Sequence, residues 1–313
     1  MSTDSGPGTP GNNPDISGLT VVIAGLGLIG GSLGMALVAG RVVREVLGVD
    51  VKREIIDRAV ARGAIHGGST DISQVASQAD ILILATPVRE IPRLARLAGP
   101  HLRPGSIVSD VGSTKSYLAV EVPGMLPETV TYIGGHPMAG SEKNGIEAAR
   151  EDLLRGCAYV LCPAAGRGAS HHAALGVMTR LVEAIGARPL VMDPEQHDVA
   201  VAVISHLPYM CALALAKVAM NAACNLPEIP GLIAGGFRDS TRIASRDPVV
   251  GSDICLTNPK HLDEVVDEFK LELQQLMNLV RAGDTEGLRQ ALGEIKAFRD
   301  SLAAPPLRVK GEF

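Results

Sequence analysis

The sequence predicts an α/β fold: a Rossmann-type doubly wound sheet followed by an all-α domain. Three observations lead there. Leu19-Thr-Val-Val-Ile-Ala-Gly25-Leu-Gly27-Leu-Ile-Gly30 joins an apolar, β-branched run to three glycines spaced G-x-G-x-x-G, and a helical pattern follows from Leu28 toward Ala39. Short apolar runs then alternate with helical patterns as far as residue 192. From Pro194 onward only long helical stretches remain. The expected division is a leader at 1–17, a dinucleotide-binding domain at 18–192 and a helical domain at 193–313.

The first stretch reads as a buried strand, a tight turn and a helix whose N-terminus faces a phosphate. Gly25 permits the turn, Gly27 lets the backbone approach a pyrophosphate, and Gly30 lets helix and strand pack closely. Leu26, Leu28 and Ile29 fill the loop between and after them. A second strand, Glu45-Val-Leu-Gly-Val-Asp50, ends in an acid placed to accept hydrogen bonds from an adenosine ribose. The plainer reading of Asp50 is a cap on the helix that begins near Lys52.

Asp80-Ile-Leu-Ile-Leu-Ala-Thr-Pro87 is a short apolar run of the kind found in parallel strands buried on both faces. Thr86 and Pro87 fall at its C-terminal end, where open α/β sheets bind ligands. Strand 106–110 ends at Asp110, and Val111-Gly-Ser113-Thr-Lys115 opens another helix. In that setting Ser113 is most simply an N-cap and Lys115 a solvated first-turn residue. Thr131-Tyr-Ile-Gly-Gly-His136-Pro-Met-Ala-Gly140 reads as a strand entering a glycine-bounded loop, which places His136 to face the sheet crevice, with stabilisation of the turn as the plainer role. Strands at 157–162 and 188–192 flank a helix from His171 to Ile185.

In the helical half, Gln196 to Ala223 forms one apolar rod that Pro208 must kink by freeing the carbonyl of Ile204. His206 beside that kink is most simply a buried ring satisfied there. Arg242, on a partly inward helix, needs either Asp239 or a ligand carboxylate as partner. Val266, Phe269, Leu273, Leu276 and Val280 make a heptad-like seam, suited to a subunit interface or to an ordinary amphipathic helix. Asp284 and Thr285 cap a last helix through Phe298.

Composition narrows the function classes. The 313 residues carry a net charge of −5 with no Lys/Arg block, so neither nucleic acid nor an anionic membrane is an expected partner. No uninterrupted run of about 18 apolar residues suggests a membrane span. The five cysteines form no C-x-x-C pair and read as reduced thiols, and no metal site is expected. Met1 to Ser17 is rich in Gly, Pro, Ser and Asn without an apolar signal region, and is expected to be a disordered leader on a cytoplasmic chain.

Taken together, Gly25-Leu-Gly-Leu-Ile-Gly-Gly-Ser-Leu33, Asp110-Val-Gly-Ser-Thr-Lys115, Gly134-Gly-His-Pro-Met-Ala-Gly140, Ser205-His-Leu-Pro208 and Thr241-Arg-Ile-Ala244 resemble the prephenate/arogenate dehydrogenases of tyrosine biosynthesis. The resemblance runs from about Thr20 to Phe298. It implies NAD-dependent oxidative decarboxylation of prephenate, arogenate or both, in a homodimer formed through the helical domain. By the resemblance His136 takes the proton of the ring hydroxyl and Ser113 orients that hydroxyl. Arg242 grips a substrate carboxylate with Asp239 holding it, and Ser141, Glu142, His206 and Gly235 belong to the substrate pocket. Gly25 to Gly30, Asp50, Thr86, Pro87 and Asp110 form the expected cofactor site. Asp50 favours NAD because a carboxylate repels a 2′-phosphate, although Lys52 and Arg53 follow closely enough to leave NADP open. Two departures stand out: Tyr209 where the Leu-Pro of the family motif is often followed by histidine, and Gly251 where some members carry tryptophan. A β-hydroxyacid dehydrogenase of similar build lacks the Gly-His-Pro-Met-Ala-Gly loop. A non-catalytic NAD-sensing protein is the alternative from another class.

Overall fold

The computed structural model describes residues 14–141, 143–163 and 168–302. Its internal contacts divide the chain into two compact units, one ending at His261 and one beginning at Leu262. The expected leader falls outside the described residues up to position 13. Ile16, within the expected leader, is buried in the core, so the chain enters the fold earlier than its composition suggested.

The first unit is built on an eight-stranded sheet of order β3-β2-β1-β4-β5-β6-β7-β8. In chain order its elements begin β1 (Thr20–Ala24), α1 (Leu28–Ala39), β2 (Glu45–Val49), α2 (Arg53–Ala61), β3 (Gly67–Ser69), α3 (Ser73–Ala76), β4 (Ile81–Leu84) and α4 (Ile91–Ala98). They continue with β5 (Ile107–Asp110), α5 (Ser116–Glu121), β6 (Thr131–Pro137), β7 (Ala158–Pro163), α6 (Ala169–Ala184) and β8 (Arg188–Val191). The order turns back between β1 and β4, the switch point at which doubly wound sheets open a crevice. Six strands run parallel, β7 pairs antiparallel to β6, and β8 follows β7 in parallel.

Side-chain alternation explains the layers. In β1, Val21 and Ile23 face one core while Val22 and Ala24 face the other. In β4, Ile81 and Ile83 go with the first pair and Leu82 and Leu84 with the second, all fully buried. The first core is closed by Leu33 and Leu37 of α1, Ile56 of α2 and Met178 and Leu181 of α6. Ile91, Ala95 and Ala98 of α4 and Leu118 of α5 close the second.

After β8 the unit is helical. α7 (Pro194–Val201) begins at Asp193, whose side chain accepts from the Glu195 and Gln196 amides at 2.9 and 3.3 Å. A π-helical turn, Ala202–His206, joins it to α8 (Leu207–Ala223), and Pro208 in the first turn of α8 accounts for the irregularity. The rod Pro194–Ala223 is, by length and composition alone, apolar enough to cross a membrane, which the unbroken-run criterion overlooked. Buried His197, Asp198 and His206 commit its inner face to the first unit. Then follow α9 (Ile229–Leu232), α10 (Gly235–Thr241) and α11 (Pro248–Thr257). The compact unit runs past the expected boundary at 192/193 because α7 packs on α5 and β7.

The second unit comprises α12 (Pro259–Ala282) from Leu262 on, with α13 (Thr285–Ser301). Asp284 caps α13, accepting from the Gly287 amide at 2.9 Å. Of the heptad-like seam, Phe269, Leu273 and Val280 are exposed, as are Leu292, Ile295 and Phe298 of α13.

Candidate active site

The glycine loop can be read position by position. Gly25 has φ +99°, and a Cβ there would lie 2.5 Å from the Ala85 carbonyl oxygen. A Cβ on Gly30 would collide with the Gly25 carbonyl. The chain itself needs both glycines. Gly27 differs, since a Cβ there meets nothing within 4 Å. It stands at the N-cap of α1, with open space in front of the helix amides. Its lack of a side chain matters to a ligand's approach rather than to packing.

A cavity of about 550 Å³ opens there, wholly within the first unit. Gly27, Leu28 and Ile29 form one side, with Thr86 and Pro87 from the end of β4. The Thr86 hydroxyl is buried without a hydrogen-bond partner among the described residues, although its residue lines the cavity. Asp50 accepts from the Leu26 amide at 3.1 Å and the Lys52 amide at 3.3 Å, tying the end of β2 to the glycine loop. Lys52, rather than Asp50, is the N-cap residue of α2. Arg53 is paired with Asp57 at 2.9 Å. An open helix N-terminus, a carboxylate one strand away and an orphaned hydroxyl fit a dinucleotide.

Ser113, His136, Ser141 and Arg242 line the same cavity, joined by Ser205 and Arg246. Ser113 is not a helix cap: α5 starts at Ser116 with Lys115 as its N-cap. Leu26, Gly25, Gly30, Asp50 and Asp110 lie off the cavity wall, as do His206, Gly235 and Asp239. Gly235 and Asp239 are exposed on α10, and Glu142 lies outside the described residues.

Lys115 is the clear correction. It is buried at 1 % exposure, not solvated. Its ammonium pairs with Asp110 and donates to the Gly135 carbonyl at 2.6 Å. Asp110 also accepts from the Tyr132 hydroxyl at 2.7 Å and the Gly112 amide at 2.7 Å, so its carboxylate serves the chain rather than the cavity. Burial, then the Asp110 charge, pushes the Tyr132 phenol well up. This network ties the end of β5 to the backbone beside His136.

His136 sits near the end of β6 with Nδ1 2.9 Å from Nε2 of His197. Burial, and then the neighbouring basic groups His197, Lys115, His206 and Arg246, hold its pKa well below the usual imidazole range. The ring is therefore neutral near pH 7 and can accept a proton. His206 is fully buried and its Nδ1 lies 3.3 Å from Nδ2 of Asn258. Burial lowers its pKa to about 4, against the opposing Asp198 charge. No group of metal-ligating side chains occurs among the described residues.

The sequence reading missed His197, Asp198 and Arg246. A His-Asp dipeptide in the first turns of an otherwise apolar rod was the available signal for the first two. Arg246 had none, because its value comes from Tyr209, 37 positions earlier in the chain, whose ring centre lies 5.5 Å from the guanidinium carbon.

Residues 33–191 match the family described as prephenate dehydrogenase, nucleotide-binding domain, and residues 193–294 match prephenate dehydrogenase, dimerization domain. The prephenate dehydrogenase of Bacillus subtilis is 34% identical over 293 residues, covering 93% of this chain and 77% of that protein. The crystal structure of Aquifex aeolicus prephenate dehydrogenase in complex with hydroxyphenyl propionate and NAD+ is similar at a TM-score of 0.86 and 31% identity, covering 92% of this chain and 100% of that one. The Synechocystis arogenate dehydrogenase structure is similar at a TM-score of 0.76 and 30% identity, covering 91% and 100%. With both halves matched in order around one cavity, the chain belongs to the prephenate dehydrogenase family.

Proposed function

We propose that the protein catalyses NAD-dependent oxidative decarboxylation of prephenate, arogenate or both. The observation carrying this reading is the single cavity that holds a neutral histidine, His136, a serine, Ser113, and an arginine, Arg242, beside the open N-terminus of α1. NAD held at Gly27, Leu28 and Ile29 would supply the two-electron oxidant for the hydride on the substrate's carbinol carbon. His136 receives the hydroxyl proton as that carbon becomes part of an aromatic ring and the ring carboxylate leaves as CO2. A positioned imidazole typically contributes about 10²–10⁴-fold to such a proton transfer. Ser113 orients the hydroxyl. Arg242 holds a substrate carboxylate through its planar pair of donors, a geometry lysine does not reproduce. Gly27, Leu28 and Ile29 cradle the pyrophosphate, and Thr86 offers its unpartnered hydroxyl to the cofactor.

The division at 192/193 separates the cofactor half from the half carrying Arg242. The exposed apolar side chains of α8, α12 and α13 support a homodimer. His136→Asn is expected to retain NAD binding and lose most turnover, while Arg242→Gln raises KM for the carboxylate substrate far more than it weakens NAD binding. Near-normal kcat in the first variant, or an unchanged KM in the second, removes the assigned role. Parallel steady-state kinetics with prephenate and arogenate assign the preferred substrate.

A further inference from the structure

His197 is 1 % exposed and lies between two partners. Its Nε2 is 2.9 Å from His136 Nδ1, and its Nδ1 is 2.8 Å from Asp198 Oδ1. The two imidazoles meet edge to face, with centroids 5.1 Å apart and planes at 72°. Asp198 is fully buried. Its Oδ1 also accepts from the Lys115 amide and its Oδ2 from the Ser116 amide, both at 2.8 Å. Burial alone would raise the Asp198 pKa. The hydrogen bonds from His197 and the two amides outweigh it and hold the carboxyl below its usual range.

The polarity of the chain of groups follows from what each can do. An ionised carboxylate only accepts, so His197 Nδ1 carries a hydrogen. With its one ring hydrogen held at Nδ1, His197 presents a lone pair at Nε2, and the short contact then requires a hydrogen on His136 Nδ1. The second nitrogen of His136, Nε2, is left as the acceptor.

We infer that His197, oriented by Asp198, is a positioning residue that fixes the tautomer of His136 so that its Nε2 is free to take the substrate's proton. The inference rests on His136 being the proton acceptor. Asp198 is in turn held by the start of α5, the element that the Lys115–Asp110 pair locks against β6. A buried scaffold thus reaches the reacting ring through one hydrogen bond. The other titratable or charged groups facing His136 are Lys115, His206 and Arg246, and none is hydrogen-bonded to its ring among the described residues.

Two substitutions separate this role from simple packing. His197→Phe keeps the volume and shape of the ring but offers His136 no acceptor. His197→Gln keeps an amide oxygen able to replace Nε2. Tautomer control predicts that His197→Phe loses about 10²-fold in kcat while His197→Gln stays within about tenfold of wild type. KM and NAD affinity should change by no more than about twofold in either. A packing role predicts the reverse order, because Phe is the better space-filler. Near-normal kcat for His197→Phe, or a Gln variant slower than the Phe variant, overturns the inference.

Nitrogen-15 NMR of histidine-labelled wild-type protein with NAD bound provides a test that needs no variant. An unprotonated Nε2 and a protonated Nδ1 on His136 near pH 7.5 are expected, and a protonated Nε2 overturns the inference even if both variants fail to fold. His136→Asn run alongside keeps the two failures apart. If it turns over normally, the base assignment itself falls; if it is inactive while His197→Phe is active, only the role of His197 falls.

Discussion

The Tyr209 hydroxyl occupies the space that a Cβ on Gly251 would need, and such a Cβ would also lie 2.9 Å from Tyr209 Cζ and 3.1 Å from Cε1. Tyr209 and Gly251, the two positions at which the resemblance led us to expect other residues, therefore face each other in space. A ring at 209 fills the volume facing position 251, and the guanidinium of Arg246 rests over its face at 5.5 Å. Gly251→Ala should cost about 1–3 kcal/mol through overpacking. Tyr209→Phe in the same chain should recover part of that loss by removing the closest atom. Thermal midpoints of the single and double variants check this, and independent, additive effects would refute the coupling.

The glycine loop gives a contrast within three residues. Gly27→Ala adds a methyl group to open space, so its melting temperature should be unchanged while KM for NAD rises by roughly tenfold or more, since a ligand needs that space. Gly30→Ala drives a methyl into the Gly25 carbonyl and should lower stability by at least about 1–3 kcal/mol. Thermal melts and NAD titrations of the two proteins separate the roles. Equal destabilisation by both would mean that Gly27 is structural too.

Acid should weaken both fold and activity. His136 and His206 have folded-state pKa values below that of an unfolded histidine, His206 at about 4. The unfolded chain then binds more protons than the folded one between those values and about 6.5, so stability is full above about 6.5 and falls as pH drops toward 4. His206 alone can account for roughly 3 kcal/mol of that loss. Turnover should persist below pH 6.5, because His136 stays neutral there, and fail as pH falls through its depressed pKa. Urea midpoints and kcat measured from pH 8 to 4 report the two effects. A midpoint that rises on acidification over this range would refute the assignment.

Lys115 and Asp110 form a fully buried ion pair. Removing one charge leaves the other unpaired, so Lys115→Met should cost about 3–5 kcal/mol. Adding Asp110→Asn should restore part of that by removing the stranded carboxylate. Denaturant midpoints decide, and a Lys115→Met protein as stable as wild type would show that the pair contributes nothing.

Much of this fold was legible in the residues. β1 and β4 are unbroken apolar runs because parallel strands bury both faces, and G-x-G-x-x-G is confined to a few backbone geometries. β3 was not legible: Gly67-Gly68-Ser69 has no apolar face, and it becomes a strand only by pairing with β2. The antiparallel pairing of β6 and β7 was hidden for a related reason, since strand direction is set by the connection and not by local pattern. In the site, His136 could be found because glycines isolate it at a strand end. Lys115 was misread because its partners, Asp110 five residues back and Gly135 twenty ahead, converge only once the sheet forms. His197 needed the same convergence, its imidazole meeting that of a residue 61 positions away.

The π turn at Ala202–His206 makes the chain's count of residues matter as much as their identity. Each residue advances a helix by about 100° of rotation. The π turn uses its five residues for roughly the rotation that four cover in a regular α-helix, so losing one amino acid there would let the rod close up with Tyr209 and the rest of α8 near their present faces. The same loss within the regular part of α8 would swing everything beyond it by that angle, turning inward side chains elsewhere with the backbone hydrogen bonds intact. A shortened rod is thus tolerated at the turn and silenced beyond it.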